Sequence, residues 1–394
     1  MRILFVNDYG FEAGGAELLL ASERAGLEAR GHTTELFSLD SEELYGSAEG
    51  WVHPYRDPKG RLGTLARQLW HPRASRALRG AIDGSKPDIV HYHSLTRLGA
   101  GVLAQAQRVP AVLTLHDYGV VYPLLKRRFP DGRFCRVGKF PCCPTHAGVF
   151  RYAYEAWRTR GHRRRMDQLR CVLVPSEFVG AVASACAISR LVHCQNGTPS
   201  NEPARGPHRR RAEILYAGRY EREKGVFALI SAFEQVADRL PDPQLVFAGE
   251  GGAGDALEAR ARDSRHSHRV KVLGRLSQEQ LAAEYAACRV VAVPSLWPEP
   301  FGLVGVEAMF AGTPVVGSGR GGMSEWLEDG RTGLVADPDD PAAFGAALAR
   351  VLTDDALHAR LSEGSRTGAA RFNIAHHVDA LERIYRAATA EPSP

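Results

Sequence analysis

The chain has no run of about 18 consecutive apolar residues, which excludes a helix long enough to cross a bilayer. Nor does its opening "MRILFVND" carry the longer apolar core and small-residue cleavage site of a secretory signal; it runs straight into a strand pattern. A cytoplasmic chain is expected. Cysteine is scarce and odd in number, seven in 394 residues, which argues for free thiols in a reducing compartment rather than a disulfide framework. The dinucleotide fingerprint G-x-G-x-x-G is absent after the first strand, where "NDYGFEAGGAELLL" offers only Gly14 and Gly15. Absent too is a persuasive Asp-x-Asp metal motif, since "DPD" at 337–339 falls in a distal loop. Metal-independent chemistry is expected, with no cofactor required.

What is present is the composition of a folded globular protein, 44% hydrophobic and 24% charged. The length suits two domains of about 150–200 residues each. Short apolar runs alternate with helix-period stretches from the start: "RILFVN", then "AELLLASERAGLEARGH", then "TTELFSL" make a β-α-β unit. The runs 87–93, 111–117, 171–176 and 191–196 complete a first parallel sheet. "GTPSNEPARGPHRRR" has no apolar period and reads as a connection. The pattern then restarts with six more strands, from "AEILYAGR" to "TGLVAD". The expected fold class is therefore α/β, two doubly wound domains facing across a cleft. The first domain is expected over residues 1–197, a linker over 198–211 and the second domain over 212–375. In the closing segment, 376–394, Val378, Leu381, Ile384, Tyr385 and Ala388 share one helical face, which should pack back on the first domain. Ligands of such sheets bind outside the carboxyl ends of the strands, and every candidate residue is expected there.

Charge is uneven. Residues 126–170 hold 13 Lys or Arg against 3 acids, a balance of +10 where the whole chain carries +5. An anionic partner, including a membrane surface on the inner face, should meet this segment; a solvated basic surface is the plain alternative. The same region gathers Cys135, Cys142, Cys143 and His146, a weak candidate for a structural zinc because adjacent cysteines fit paired ligand spacing poorly; reduced loop thiols are the default. Just beyond, Phe150, Tyr152, Tyr154 and Trp157 alternate with arginine, as an acceptor wall, a surface patch for lipid-linked acceptors, or a helix packing its aromatic stripe inward.

The most informative stretch is "PSLWPEPFGLVGVEAMFAGTPVVGS", residues 294–318. It sets Glu299 just before a short helix and Glu307 in its second turn, with Gly302 between them where backbone N–H groups are free to meet a phosphate. Each carboxylate could accept hydrogen bonds from the hydroxyls of a different sugar of a nucleotide sugar. Arg219 and Lys224 in "AGRYEREKG" follow the first strand of the second half. Two fixed cations there would stabilise the charge that grows on a departing diphosphate and could replace a metal ion.

These motifs, in this order, resemble the family 4 retaining glycosyltransferases of the two-Rossmann-domain (GT-B) type, whose hallmark is Glu-x7-Glu; the likeness runs over nearly the whole chain and is stronger in its second half. The resemblance implies that Glu299 contacts the donor sugar, that Glu307 holds the ribose, and that Arg219 and Lys224 bind the diphosphate. It further implies donor-binding roles for Gly14 and Gly15, for Gly249 in "FAGEGG", for Gly274 and Arg275 in "VLGRLS", and for Phe301, Gly302, Leu303 and Val304. His116, at the end of "AVLTLHD", matches a family histidine near the donor sugar; His91 and His93 in "VHYHS" are less specific.

The implied reaction is transfer of a sugar from a nucleotide-diphosphate sugar to an acceptor hydroxyl, on a sugar, a natural product or a lipid-linked molecule. The acceptor attacks from the face the diphosphate leaves, and the leaving phosphate oxygen helps take its proton. A nucleotide-sugar epimerase or hydrolase on the same architecture is the enzymatic alternative. A basic nucleic-acid-binding protein is another class, and no nucleic-acid partner is expected.

Overall fold

The computed structural model describes residues 1–10, 14–39, 52–55, 71–95, 97–119, 157, 160–199 and 210–390. The weak zinc candidate Cys135, Cys142, Cys143 and His146 lies outside these residues, as do most of the basic segment and most of the connection after Thr198. Trp157 is 64% exposed, so the inward-packing alternative does not hold for it. No helix among the described residues is long and apolar enough to cross a membrane.

The chain forms two compact units, Met1–Gly197 with Ile374–Pro394, and Thr198–Asn373. The first is built on a seven-stranded sheet. Its strands are β1 (Arg2–Tyr9), β2 (Thr33–Leu39), β3 (Val52–Tyr55), β4 (Ile89–Tyr92), β5 (Ala111–Thr114), β6 (Cys171–Val174) and β7 (Leu191–His193), in the order β3-β2-β1-β4-β5-β6-β7. All neighbours are parallel. Helices α1 (Gly15–Glu28), α2 (Pro72–Ser85) and α3 (Glu177–Ala185) serve this sheet. The middle strands β4, β5 and β6 are buried at every position, which is why they read as continuous apolar runs.

One strand is not among those expected. β3, "VHPY", pairs Leu36 with Val52 through Leu39 with Tyr55. It is an edge strand, where Pro54 is tolerated because one side of the strand has no ladder to feed.

The second unit repeats the plan with β8 (Arg211–Ala217), β9 (Gln244–Ala248), β10 (Val270–Gly274), β11 (Cys288–Val293), β12 (Val315–Gly317) and β13 (Gly333–Val335), ordered β10-β9-β8-β11-β12-β13 and again all parallel. Around it run α4 (Val226–Ala237), α5 (Gly254–Arg262), α6 (Gln278–Ala287), α7 (Leu303–Phe310), α8 (Pro341–Thr353) and α9 (Asp355–Ala369). Ser277 opens α6 with a capping box: its hydroxyl accepts from the Gln280 N–H while the Gln280 side chain accepts from the Ser277 N–H. Asp340 followed by Pro341 starts α8, and Asp354 starts α9. Two apolar layers sandwich the sheet, one around Phe233, Phe247 and Phe344, the other around Phe301, Met309 and Trp326.

The last helix, α10 (Ile374–Ala390), belongs to the first unit. Val378, Leu381, Tyr385 and Ala388 are buried in the core that contains Ile3, Phe5 and Leu27. Ile384 packs against the same cluster, half-buried. In each sheet the winding reverses beside the first strand, between β1 and β4 and between β8 and β11, and ligands of doubly wound sheets collect at the carboxyl ends of such strands.

Candidate active site

In the second unit the reversal point holds a cation and an acid in direct contact. After β8 the chain turns through Gly218 and Arg219 into a single 3-10 turn, Arg222–Lys224. Gly225 ends that turn with φ +77° and starts α4. A Cβ on Gly225 would lie 1.9 Å from the Pro294 carbonyl oxygen, so only glycine lets this loop press on the end of β11. On the other side, Leu296 N–H donates to the Glu223 carbonyl at 2.8 Å. The Lys224 loop and the "PSLWPE" loop are thus stitched together by backbone.

Within that seam Lys224 Nζ donates to both oxygens of Glu299, each at 2.8 Å. Glu299 is 3% exposed. Its Oε1 also accepts from Trp297 Nε1 at 3.0 Å and from the Ser295 hydroxyl. Burial pushes the Glu299 carboxyl up, but the Lys224 ammonium and these donors together bring it below its ordinary value, so it is ionised. The Lys224 ammonium also sits 5.2 Å from the Trp297 ring centroid. Backbone bonds hold Glu299 on its far side: its N–H donates to the Arg320 carbonyl at 3.2 Å and its carbonyl accepts from Gly322 at 2.6 Å.

The other expected site residues take separate places. Arg219 is exposed, with its carbonyl bound by the Tyr216 hydroxyl at 2.7 Å and its side chain in no salt bridge among the described residues. Glu307 stands in the second turn of α7, where its Oε2 accepts from the Tyr285 hydroxyl at 2.9 Å. Burial raises the Glu307 carboxyl, and the Tyr285 hydrogen bond offsets part of that rise. No hydrogen bond joins Arg219 or Glu307 to the Lys224–Glu299 pair among the described residues. Gly302 caps the start of α7 with φ +90°. Phe301 is a core residue, 2% exposed, whose carbonyl accepts from Trp326 Nε1 at 2.7 Å; Leu303 and Val304 are half-buried beside it. Gly249 N–H donates to the Gly274 carbonyl at 2.8 Å, and Arg275 forms an exposed ion pair with Glu250. The two acids of "DPD" are engaged by Arg320, at 2.7 Å from Asp337 and 2.9 Å from Asp339.

In the first unit Gly14 precedes α1 and Gly15 opens it, exposed. His116 follows β5, half-buried, and its Nε2 lies 2.7 Å from His93 Nδ1. Burial brings the His116 imidazole down to about 4, against a smaller upward pull from Asp117. His93 follows β4, but His91 does not stand at a strand end: it lies inside β4, 0% exposed, bonded to the Tyr385 hydroxyl at 2.6 Å and the Thr114 hydroxyl at 2.7 Å. Its side chain faces the core under α10. Glu23, His91 and His93 bring three ligand-type atoms within 4.8 Å of one another. Both nitrogens of His91 are already hydrogen-bonded, so this is not an open ligand set.

Sequence reasoning missed Glu23 and His377, which join His93 and His116 in one buried cluster. A signal existed: Glu23 falls between Leu20 and Leu27 on the buried stripe of α1, and His377 adjoins Val378 on that of α10. Ser295, Trp297 and Tyr285, which hold the two acids, were missed as well.

Two family models match the chain, Glycosyltransferase Family 4 over residues 13–202 and Glycosyl transferases group 1 over residues 200–368. A glycogen synthase of Mycobacterium tuberculosis is 32% identical over 71% of this chain; the match spans 64% of that relative, less than two thirds of its length. A D-inositol 3-phosphate glycosyltransferase of Xylanimonas cellulosilytica is 36% identical over 77% of this chain and 72% of its own. Among solved structures, a sucrose-phosphate synthase of Thermosynechococcus elongatus superposes with TM-score 0.77 at 23% identity, covering 98% of both chains. HepE of Anabaena, in complex with UDP-glucose, gives TM-score 0.74 at 19% identity over 98% of this chain and 100% of its own. Two doubly wound sheets, the acid pair with seven residues between its members and these matches lead to one assignment: the chain belongs to the family 4 glycosyltransferases, of GT-B architecture.

Proposed function

We propose that this chain is a retaining glycosyltransferase that moves a sugar from a nucleotide-diphosphate sugar to an acceptor hydroxyl without a metal ion. The observation that carries the reading is the Lys224 ammonium held on both oxygens of buried Glu299, at the reversal point of the second sheet. A diphosphate arriving there meets a cation whose position is fixed before binding. Arg219, exposed and outside any salt bridge among the described residues, supplies the second cation. As the bond from anomeric carbon to phosphate oxygen breaks, negative charge grows on the departing diphosphate, and fixed positive groups stabilise it in proportion. The acceptor oxygen bonds to the same face of the carbon, and its proton passes to the departing phosphate oxygen.

Glu299 is a poor nucleophile in this setting, because Lys224, Ser295 and Trp297 already donate to it. It orients donor-sugar hydroxyls, and Glu307 accepts from the ribose. A uridine nucleotide is the first donor to try, given the UDP-glucose complex of HepE. The acceptor is a polyhydroxylated molecule, and one with an anionic or lipid-linked end would meet residues 126–170. Arg219→Gln and Glu307→Ala should each lower kcat/KM for the donor at least tenfold with the fold intact, activity should survive EDTA, and the product should keep the donor's anomeric configuration by NMR. Near-normal turnover by both variants, or an inverted product, would overturn the reading.

A further inference from the structure

Four side chains from four elements of the first unit form a line through its core: His377 on α10, Glu23 on α1, His93 after β4 and His116 after β5. Hydrogen-bond chemistry decides which of the facing atoms carry a proton and which are bare along the path to His116. His377 Nδ1 lies 2.7 Å from the Gln195 carbonyl oxygen. A carbonyl oxygen only accepts, so Nδ1 carries a proton; the Cys194 sulfur at 3.6 Å is a weaker second neighbour. His377 Nε2 lies 2.8 Å from Glu23 Oε1, and one proton sits between those atoms, whichever holds it. The other oxygen, Glu23 Oε2, therefore has none. A proton there would leave imidazolium His377 as a buried charge without a counter-ion.

Glu23 Oε2 faces His93 Nε2 at 3.4 Å, the loosest link, and neither atom has a hydrogen-bond partner among the described residues. Both side chains are fully buried, at 0% and 1% exposure. An N–H from His93 to Glu23 satisfies the two orphaned atoms at once. Burial and the neighbouring imidazoles keep His93 neutral, so with its one proton on Nε2 its Nδ1 must accept. The atom facing that Nδ1, at 2.7 Å, is His116 Nε2.

We propose that His377, Glu23 and His93 are positioning residues that hold His116 in its Nε2–H tautomer, leaving Nδ1 as a hydrogen-bond acceptor for a substrate hydroxyl. His116 Nδ1 makes no hydrogen bond among the described residues, and the residue is half-buried rather than sealed in the core. A hydroxyl can donate to a bare ring nitrogen; a carbonyl or phosphate oxygen cannot. The assignment of the hydroxyl rests on the sugar-transfer reading, while the tautomer does not. His91, whose ring centroid lies 4.1 Å from that of His93, stands outside the line because Tyr385 and Thr114 take both its nitrogens.

The test is ¹⁵N NMR of the histidine rings in the full chain at pH 7, with the His116 signals assigned by their loss in His116→Gln. The expected result is a protonated Nε2 and a bare Nδ1. Glu23→Gln should keep that pattern, since the amide can donate to His377 Nε2 and accept from His93 Nε2–H. Glu23→Leu removes the acceptor, and the His116 signals should move to the average of two tautomers. A protonated Nδ1 in the wild-type chain, an inverted pattern in Glu23→Gln, or an unchanged one in folded Glu23→Leu would overturn the proposal. If Glu23→Leu does not fold, the first two spectra decide. A bare Nδ1 in a chain that transfers no sugar would refute the transfer reading and leave the tautomer standing; a protonated Nδ1 in an active enzyme would do the reverse.

Discussion

Removing one or the other partner of the Lys224–Glu299 pair should cost different amounts, and exposure sets the difference. The Glu299 side chain is 4% exposed and that of Lys224 21%. In Lys224→Met the carboxylate stays behind with almost no access to water, although Ser295 and Trp297 still donate to it. Breaking a buried pair in this way costs about 3–5 kcal/mol. In Glu299→Gln the stranded ammonium can turn toward solvent, and screening reduces the loss to about 1–2 kcal/mol. For a unit of this size a kcal/mol moves the midpoint by about 2–4 °C, so Lys224→Met should fall by about 10 °C and Glu299→Gln by less than half of that. The double variant leaves no unpaired charge and should lie within about 2 kcal/mol of wild type. Urea unfolding of the full chain, followed by near-UV circular dichroism, gives all four corners of the cycle. Equal losses in the two single variants, or losses that simply add in the double, would refute the reasoning.

Gly225→Ala should destabilise the chain by more than about 2 kcal/mol, because the new Cβ meets the Pro294 carbonyl at 1.9 Å and the backbone there has φ +77°; a melting curve unchanged from wild type would contradict the packing described. His377 should make stability depend on pH: Glu23 and Cys194 overcome burial and raise it from 6.5 to about 10. Its stabilising contribution is then complete below about pH 6.5 and is lost as pH rises through 10. Urea midpoints of wild type should fall across that window, and His377→Gln, which keeps Glu23, His93, Tyr385 and Cys194 in place, should lose the slope. In a thermal-shift panel of UDP-, GDP-, ADP- and dTDP-sugars, one base should raise the melting temperature and Arg219→Gln should remove most of that rise.

Most of the strands were legible because parallel strands buried on both faces leave short apolar runs such as "CVLV" and "RVVAV", each closed by a Pro-Ser pair. β3 was not, since an edge strand of four residues with a proline carries neither an apolar run nor an alternation. The site divides in the same way. Glu299, Glu307 and Lys224 stand out because the strings that carry them, "PSLWPEPFGLVGVEAMFAG" and "GRYEREKG", follow directly on the strands β11 and β8. Their supports, Ser295, Trp297 and Tyr285, are ordinary residues whose role depends on where a neighbouring element brings the acid. Glu23 and His377 are 354 positions apart and become partners only through the fold. No local pattern contains that pairing, although an acid on the apolar stripe of α1 hints that something across from it must compensate.

Placing α10 in the first unit has a consequence for biosynthesis. When the ribosome has delivered residues 1–197, β1 to β7 are all available, yet the site for Tyr385, Leu381 and His377 is still open and Glu23 lacks its His377 partner. That half must wait, with an apolar trough uncovered, until the whole of Thr198–Asn373 has been made. The second unit, contiguous in the chain, is free to fold first. Order of synthesis and order of completion are therefore reversed, and the interval between them is when a nascent chain is most in need of a chaperone.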